Sequence, residues 1–292
     1  MINQRTGGSL WYGLAAVIAS ASMFLAPVAS MAQDAKDRTA LKVCADGNNM
    51  PYSNSDKEGF ENKIAELFGD YLGLPVEYTF FPQRLGFIRN TLKAETGVDS
   101  YKCDIVMGVP SGFDIASPTN PYYRTTYVLT YVKGRGYDSV KEPEDVAELS
   151  AKVKDDILFG VFDQGPAQLW VFENDFMDQM RPYRAMPGST EITPGDVMED
   201  LINDEIDMTI IYGPFAGWWK KKTDKVDIVT IPMMNDPDNA QRRFEFNMSM
   251  AVRYGEDEWK QTVNKFIREK KDEIHAILEE YNVPLLSLDQ KI

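Results

Sequence analysis

Three short apolar runs, Leu41–Ala45, Val76–Phe81 and Cys103–Gly108, are separated by two stretches with helical period. In the first stretch Phe60, Ile64, Leu67, Phe68, Tyr71 and Leu72 recur at helical spacing, with Glu61, Lys63, Glu66 and Asp70 between them, and Gly73 is placed to end the helix. Gly86–Ala94 supplies the second. Strand, helix, strand, helix, strand within roughly 70 residues is the spacing of parallel crossover units, so the first lobe is predicted to be α/β.

A second series follows. Thr125–Lys133 reads as a long strand, Ile157–Phe162 as a strand, Ala167–Met180 and Pro194–Asn203 as helices, and Met208–Tyr212 as a strand. A chain of this length usually splits into more than one core, which makes this series a second α/β unit. Trp259, Val263, Phe266, Ile267, Ile274, Ile277, Leu278 and Tyr281 form one apolar stripe, predicting a long C-terminal helix that packs on a lobe. No internal repeat of about 20 to 50 residues occurs, which argues against solenoids and propellers.

Of the 292 residues 43% are apolar, enough for packed cores. Asp and Glu outnumber Lys and Arg by 45 to 31, a formal charge of −14, so neither nucleic acid nor an anionic membrane surface is an expected partner. The single histidine, His275, and two cysteines cannot supply a four-cysteine zinc site or one of two cysteines with two histidines, and there is no C-x-x-C-H haem attachment. No cofactor and no metal site are expected.

Arg5 precedes an apolar stretch from Leu10 to Val28, and Ser30-Met31-Ala32 offers the small residues a signal peptidase reads. Residues 1–32 are therefore expected to be a secretory signal cleaved after Ala32. The apolar run is broken by Gly13, Ser20, Ser22 and Pro27, unlike a retained anchor, and no other stretch approaches the roughly 18 to 20 apolar residues of a membrane span. In an oxidising compartment Cys44 and Cys103 are expected to form a disulfide, closing a loop of about 60 residues, the alternative being two separate buried thiols.

The element order, with Asp104–Gly108, Ser117-Pro118-Thr119-Asn120-Pro121-Tyr122-Tyr123 and Glu280-Tyr281-Asn282-Val283-Pro284-Leu285-Leu286, resembles family-3 bacterial solute-binding proteins. The resemblance implies a two-lobed type II periplasmic binding protein fold, α/β in class, with two hinge strands. It places the crossing near Val128–Tyr131 and the return near Phe246–Ala251, giving residues 33–129 and 247–292 as lobe 1 and 130–246 as lobe 2. Within that group Cys44-Ala45-Asp46, Met50–Asn54, Gly59-Phe60-Glu61-Asn62, Pro82-Gln83-Arg84, Phe87–Leu92 and Cys103–Pro110 resemble the J-type periplasmic proteins encoded beside quinoprotein methanol dehydrogenases. This implies a periplasmic, non-enzymatic accessory protein of methanol oxidation, whose partner is such a dehydrogenase, the lanthanide-dependent enzyme being favoured over the calcium-dependent one.

Amino-acid-binding relatives clamp the ligand carboxylate with an arginine after the third strand, in a geometry lysine cannot copy. The matching stretch here, Pro110–Ala116, has none. Those relatives hold the same anion at a helix start rich in Thr or Ser, whereas this chain has Asp163-Gln164-Gly165-Pro166-Ala167-Gln168, with a repelling acid and a proline that lacks an amide hydrogen. The residues expected to line the cleft are Asn48, Asn49, Met50, Gly108, Ser111, Tyr122, Tyr123, Gln164, Gln168, Tyr212, Phe215, Trp218 and Trp219. Such an aromatic set suits a small hydrophobic or neutral ligand, or an anchor side chain from a protein. The competing function is therefore an ABC-transporter substrate-binding protein for a small solute other than an amino acid.

Catalysis finds little support. His275 sits among charged helical residues, no G-x-S-x-G, P-loop or dinucleotide fingerprint is present, and Asp236 and Asp238 flank Pro237 without a D-x-D-x-D-G calcium loop. Asp200, Asp204 and Asp207 would share one helix face if the helix ran that far, which reads as a solvated acidic row.

Overall fold

The computed structural model describes residues 38–184 and 195–288. The expected signal sequence and Pro194 lie outside them. Leu41–Ala45 (β1) is a buried apolar strand that pairs in parallel with Val76–Phe80 (β2) on one side and Ile105–Pro110 (β3) on the other. Between β1 and β2 runs the helix Phe60–Leu72 (α1), which buries Phe60, Ile64, Ala65 and Phe68 and ends at Gly73 in the left-handed conformation. The second helix is only Phe87–Asn90 (α2), shorter than expected: the backbone leaves helical geometry at Thr91 (φ −121°, ψ −89°) and continues into a small hairpin, Glu95–Gly97 with Ser100–Tyr101.

Ser117–Val132 (β4) is a single strand of 16 residues. Then come two short helices, Asp145–Glu148 (α3) and Ala151–Asp156 (α4), the strand Phe159–Phe162 (β5), Pro166–Glu173 (α5) and the strand Met180–Tyr183 (β6). The expected helix to Met180 stops at Glu173 because Asn174 folds its amide onto the Trp170 carbonyl and Asp175 takes positive φ. Asp196–Ile202 (α6), Met208–Tyr212 (β7), Gly213–Lys222 (α7), Ile228–Pro232 (β8) and Glu245–Val252 (β9) complete the series.

All nine strands join one sheet, in the order β6-β5-β7-β4-β9-β3-β1-β2 with β8 also on β4. Residues 117–126 of β4 pair antiparallel with β9, and residues 127–132 pair antiparallel with β7 and β8. Both lobes are thus built on a shared strand. The period of two along β4 distributes its side chains, Leu129 and Tyr131 entering one core of the second lobe and Val128 and Val132 the other. The first lobe has its own core around Leu41, Phe60, Phe68, Trp259 and Phe266, with Phe68 stacked on Phe266 at 4.2 Å between ring centres.

Instead of one C-terminal helix there are two, Asp257–Glu269 (α8) and Lys271–Glu280 (α9), broken at Lys270. The break lets α8 pack on β4 and β9 while α9 packs on α1, two surfaces that a straight rod would not follow. After α9 the chain crosses to the second lobe. Asn282 lies against Gly217 so closely that a side chain at 217 would overlap it, Pro284 lies against Gly213, and Leu286 N donates to the Arg124 carbonyl at 2.8 Å.

Cys44 and Cys103 form the disulfide, with Cα atoms 5.4 Å apart, tying β1 to the residues that lead into β3. The buried Arg124–Glu245 ion pair links β4 to β9, and Glu245 also accepts the Asn235 amide at 2.9 Å. The acidic row does not form. Helix α6 ends at Ile202, Asp200 accepts from Tyr183, Asp204 pairs with Arg135, and Asp207 accepts from Tyr137 and the Leu158 amide.

Candidate functional site

The cavity between the lobes has a volume of about 460 Å³, within the size range of small-molecule sites. Its walls come from both hinge strands and the two second-lobe strand ends. β4 gives Tyr127, β9 gives Phe246 and Met248, β3 gives Pro110, β5 gives Phe162, and β7 runs through Ile211 and Tyr212 into Phe215 of α7. Asp163, Gln164, Gly165 and Pro166 form one edge. Tyr127 and Tyr212 lie 5.4 Å apart, and Phe246 sits edge-on to Tyr212 at 6.2 Å. Among the described residues no lysine or arginine lines this space, so an anionic ligand would lose its water without gaining a counter-charge.

The helix start at α5 is unsuited to an anion for a second reason. Gln164 N donates to its neighbour Gln168 Oε1 at 3.0 Å, Asp163 N donates to the Tyr183 carbonyl, and Pro166 has no N–H. Within the stretch that lacks the arginine, Ser111 is engaged with β9, its hydroxyl 3.1 Å from the Asn247 carbonyl and 2.7 Å from Ser249 Oγ.

Of the residues expected to line the cleft, Gln164, Tyr212 and Phe215 line this cavity. Trp218 packs on the first-lobe core and stacks on Tyr281 at 5.5 Å, whereas Trp219 lines a different hollow beside Lys222 and Asn203. Asn48 is exposed on the hairpin Asn48–Asn49 with Ser53–Asn54, Asn49 donates to Gln83, and Met50 packs against the first-lobe core. Tyr122 and Tyr123 are buried inside that core, 2% and 1% exposed. The successive β4 residues Tyr122 to Thr126 are all buried.

Glu61 was not among the expected site residues. This acid of the first turn of α1 is only 8% exposed, and its carboxylate fills the space beside the Cα of Gly108. Burial, with Asp46 nearby, pushes its pKa up to about 8, and among the described residues no hydrogen bond or cation offsets the cost. The Tyr123 and Tyr212 hydroxyls are likewise buried without a partner among the described residues. Burial raises the pKa of both phenols, and the Glu61 charge raises them further. The signal of Glu61 in the sequence is angular: residue 61 shares a helix face with Ile64, Ala65 and Phe68. Tyr127, Phe246 and Met248 escaped notice because only the register of β4 and β9 shows which of their faces meets the cavity.

A two-lobed α/β molecule with its cavity between the lobes, one strand shared by both and a second returning beside it, has the type II fold of periplasmic binding proteins. No protein-family model matches the chain. The periplasmic binding protein XoxJ from Methylobacterium extorquens AM1 is similar at 32% identity and a TM-score of 0.66, covering 85% of this chain and 100% of that one. The chain belongs to this J-type family. MxaJ from Methlophaga aminisulfidivorans MPT shares the fold, with a TM-score of 0.68 at 24% identity over 85% of this chain and 100% of that one. Protein MoxJ of Paracoccus denitrificans is 24% identical over 271 residues, 86% of this chain and 90% of the relative.

Proposed function

We propose that this periplasmic binding-like accessory protein of methanol oxidation binds a quinoprotein methanol dehydrogenase and activates or matures it, without catalysing a reaction itself. The observation that carries this reading is the pairing of family membership with a cavity that has lost both halves of the anion clamp while keeping aromatic walls. Aromatic walls around a desolvated hollow suit an anchor side chain of a protein partner. The partner is proposed to be the lanthanide-dependent enzyme.

The site of action is the periplasm, reached through a signal sequence cleaved after Ala32. Among the described residues no helix is long and apolar enough to cross a membrane. The proposed lobes are 33–129 with 247–292, and 130–246. The separate cores support that division, one drawn mainly from residues 41–123 and 248–283, the others from residues 128–244.

The test compares methanol dehydrogenase purified from cells with and without this gene, at matched expression, for specific activity, quinone content and metal content. Enzyme that is present but inactive or unloaded without the gene supports the reading. Fully active, loaded enzyme refutes it. The volume of the cavity favours one competitor, a receptor passing a small neutral solute to an ABC importer. A solute copurifying in the cavity, with lobe closure in solution scattering when it is restored, would establish that competitor.

A further inference from the structure

Five aromatic side chains reach the cavity between the lobes, each from a different element: Tyr127 of β4, Phe162 of β5, Tyr212 of β7, Phe215 of α7 and Phe246 of β9. All five are only partly buried, which leaves ring surface for a ligand. Tyr127, Tyr212 and Phe246 form a triangle with ring centres 5.4 to 6.3 Å apart and planes inclined by 50° to 80°. At those angles no face of one lies flat on another. Among the described residues the only formal charge lining the space is the Asp163 carboxylate at its edge. Arg243 does not line the space, but its guanidinium sits 5.3 Å from the centre of the Phe246 ring, so one ring of the set already carries a cation on a face.

A ligand entering this space gives up its water, and its chemistry decides what it receives in return. An anion would meet a carboxylate and the negative faces of the rings. A primary ammonium or a guanidinium brings several N–H donors, each of which needs an acceptor that phenylalanine walls do not supply. A quaternary ammonium carries its charge without any N–H. Its methyl groups bury as well as those of a hydrocarbon, and the charge is attracted to the ring faces. A neutral molecule of the same shape gains the burial without that attraction.

We propose that the cavity between the lobes binds a small quaternary ammonium solute, its charge held against the faces of Tyr127, Tyr212, Phe215 and Phe246 with Asp163 at the edge. The volume of about 460 Å³ exceeds what a trimethylammonium head alone requires, so the nitrogen can bear a further substituent, as in choline. The proposal goes beyond the accessory role and does not depend on it. A formal charge of −14 draws cations of every kind toward the protein, but that attraction is diffuse and screened by salt, whereas contact with the rings depends on these particular side chains.

The experiment is calorimetric titration of the purified protein with choline chloride and with 3,3-dimethyl-1-butanol, which has carbon in place of the quaternary nitrogen, at equal ionic strength. The proposal expects a preference of about tenfold or more for choline, the scale of a desolvated cation on aromatic faces. Tyr127→Leu and Phe246→Leu keep an apolar wall while removing a π face, and each should reduce the preference about threefold or more. Equal affinity for the two probes, or no choline binding up to about 10 mM, overturns the proposal. A preference that survives unchanged in both variants belongs to the overall charge and also overturns it. Should neither variant give a cooperative melt, Asp163→Asn decides: choline binding weakened about threefold or more, with dimethylbutanol binding unchanged, supports the site, and unchanged choline binding refutes it. The accessory role is decided separately, by the activity and loading of methanol dehydrogenase, so either reading can fail while the other stands.

Discussion

Glu61 and Gly108 occupy one site between them: the carboxylate of the first fills the volume that a side chain on the second would need. Gly108→Ala should therefore destabilise the protein by about 1 to 3 kcal/mol, the usual range for forced overpacking. Adding Glu61→Ala should recover most of the loss, and a coupling energy below about 0.5 kcal/mol in a urea double-mutant cycle would show that the two residues do not compete.

Glu61 should make stability fall as pH rises from about 4.5 to about 8. The Glu61 carboxyl is held protonated in the folded protein up to about pH 8 and ionises near pH 4.5 when unfolded. Between those values the folded state binds more protons, so this group removes stability as pH increases. Glu61→Gln should match the wild type at pH 4 and exceed it at pH 8.5 by about 2 to 5 kcal/mol. Urea melts of both proteins across that range, showing parallel pH profiles, would dismiss the shift.

Cutting the disulfide by Cys44→Ala with Cys103→Ala should lower stability by up to about 4 kcal/mol, through the entropy of the opened loop in the unfolded chain. The midpoint of chemical unfolding measures it, and no loss would mean that β1 and β3 are held together fully by their pairing.

Arg124 and Glu245 are each about 3 to 4% exposed. Arg124→Ala strands a buried carboxylate and should cost roughly 3 to 5 kcal/mol, whereas Arg124→Met with Glu245→Leu should come within about 1 to 2 kcal/mol of the wild type. Equal losses in the single and double variants would show that the pair contributes more than the removal of a stranded charge.

If the proposed complex with methanol dehydrogenase docks in the cleft, replacing the wall of the cavity should weaken it without unfolding the protein. Phe246→Ala and Tyr212→Ala are expected to raise the dissociation constant about 30-fold or more, the effect of losing roughly 2 kcal/mol at a buried aromatic anchor. Unchanged affinity in both, with unchanged melting, would move the docking surface away from the cleft.

The two α/β units, β1, α1, β7 and the pairing of the cysteines were legible because each rests on local periodicity or on a compartment argument. What escaped depends on contacts between distant segments. The stripe from Trp259 to Tyr281 is continuous in sequence, yet it serves two packing surfaces, and only their relative tilt requires the break at Lys270. Asn174 and Asp175 end α5 through a side-chain turn that competes with an otherwise suitable helical run. In the cleft, Tyr212 and Phe215 were readable as aromatics at the end of a strand. Tyr127, Phe246 and Met248 were not, since strand register decides which face of β4 and β9 they occupy. Glu61 was hidden by its chemistry: an acid in a first helical turn is ordinarily solvated, and its helix face alone betrays it.

The segment after α9 adds a third connection between the lobes. The chain crosses between the lobes along β4 and returns through Phe244 into β9, with Tyr127 N donating to the Phe244 carbonyl. Asn282 and Pro284 grip α7, Pro284 at Gly213 beside the Thr126 carbonyl of β4, and Leu286 fastens the same segment onto β4. A relative movement of the lobes at this crossing has to carry the segment along or break its contacts. A partner that pries the cavity wide must therefore work against the grip of residues 282–286 as well as against the aromatic walls.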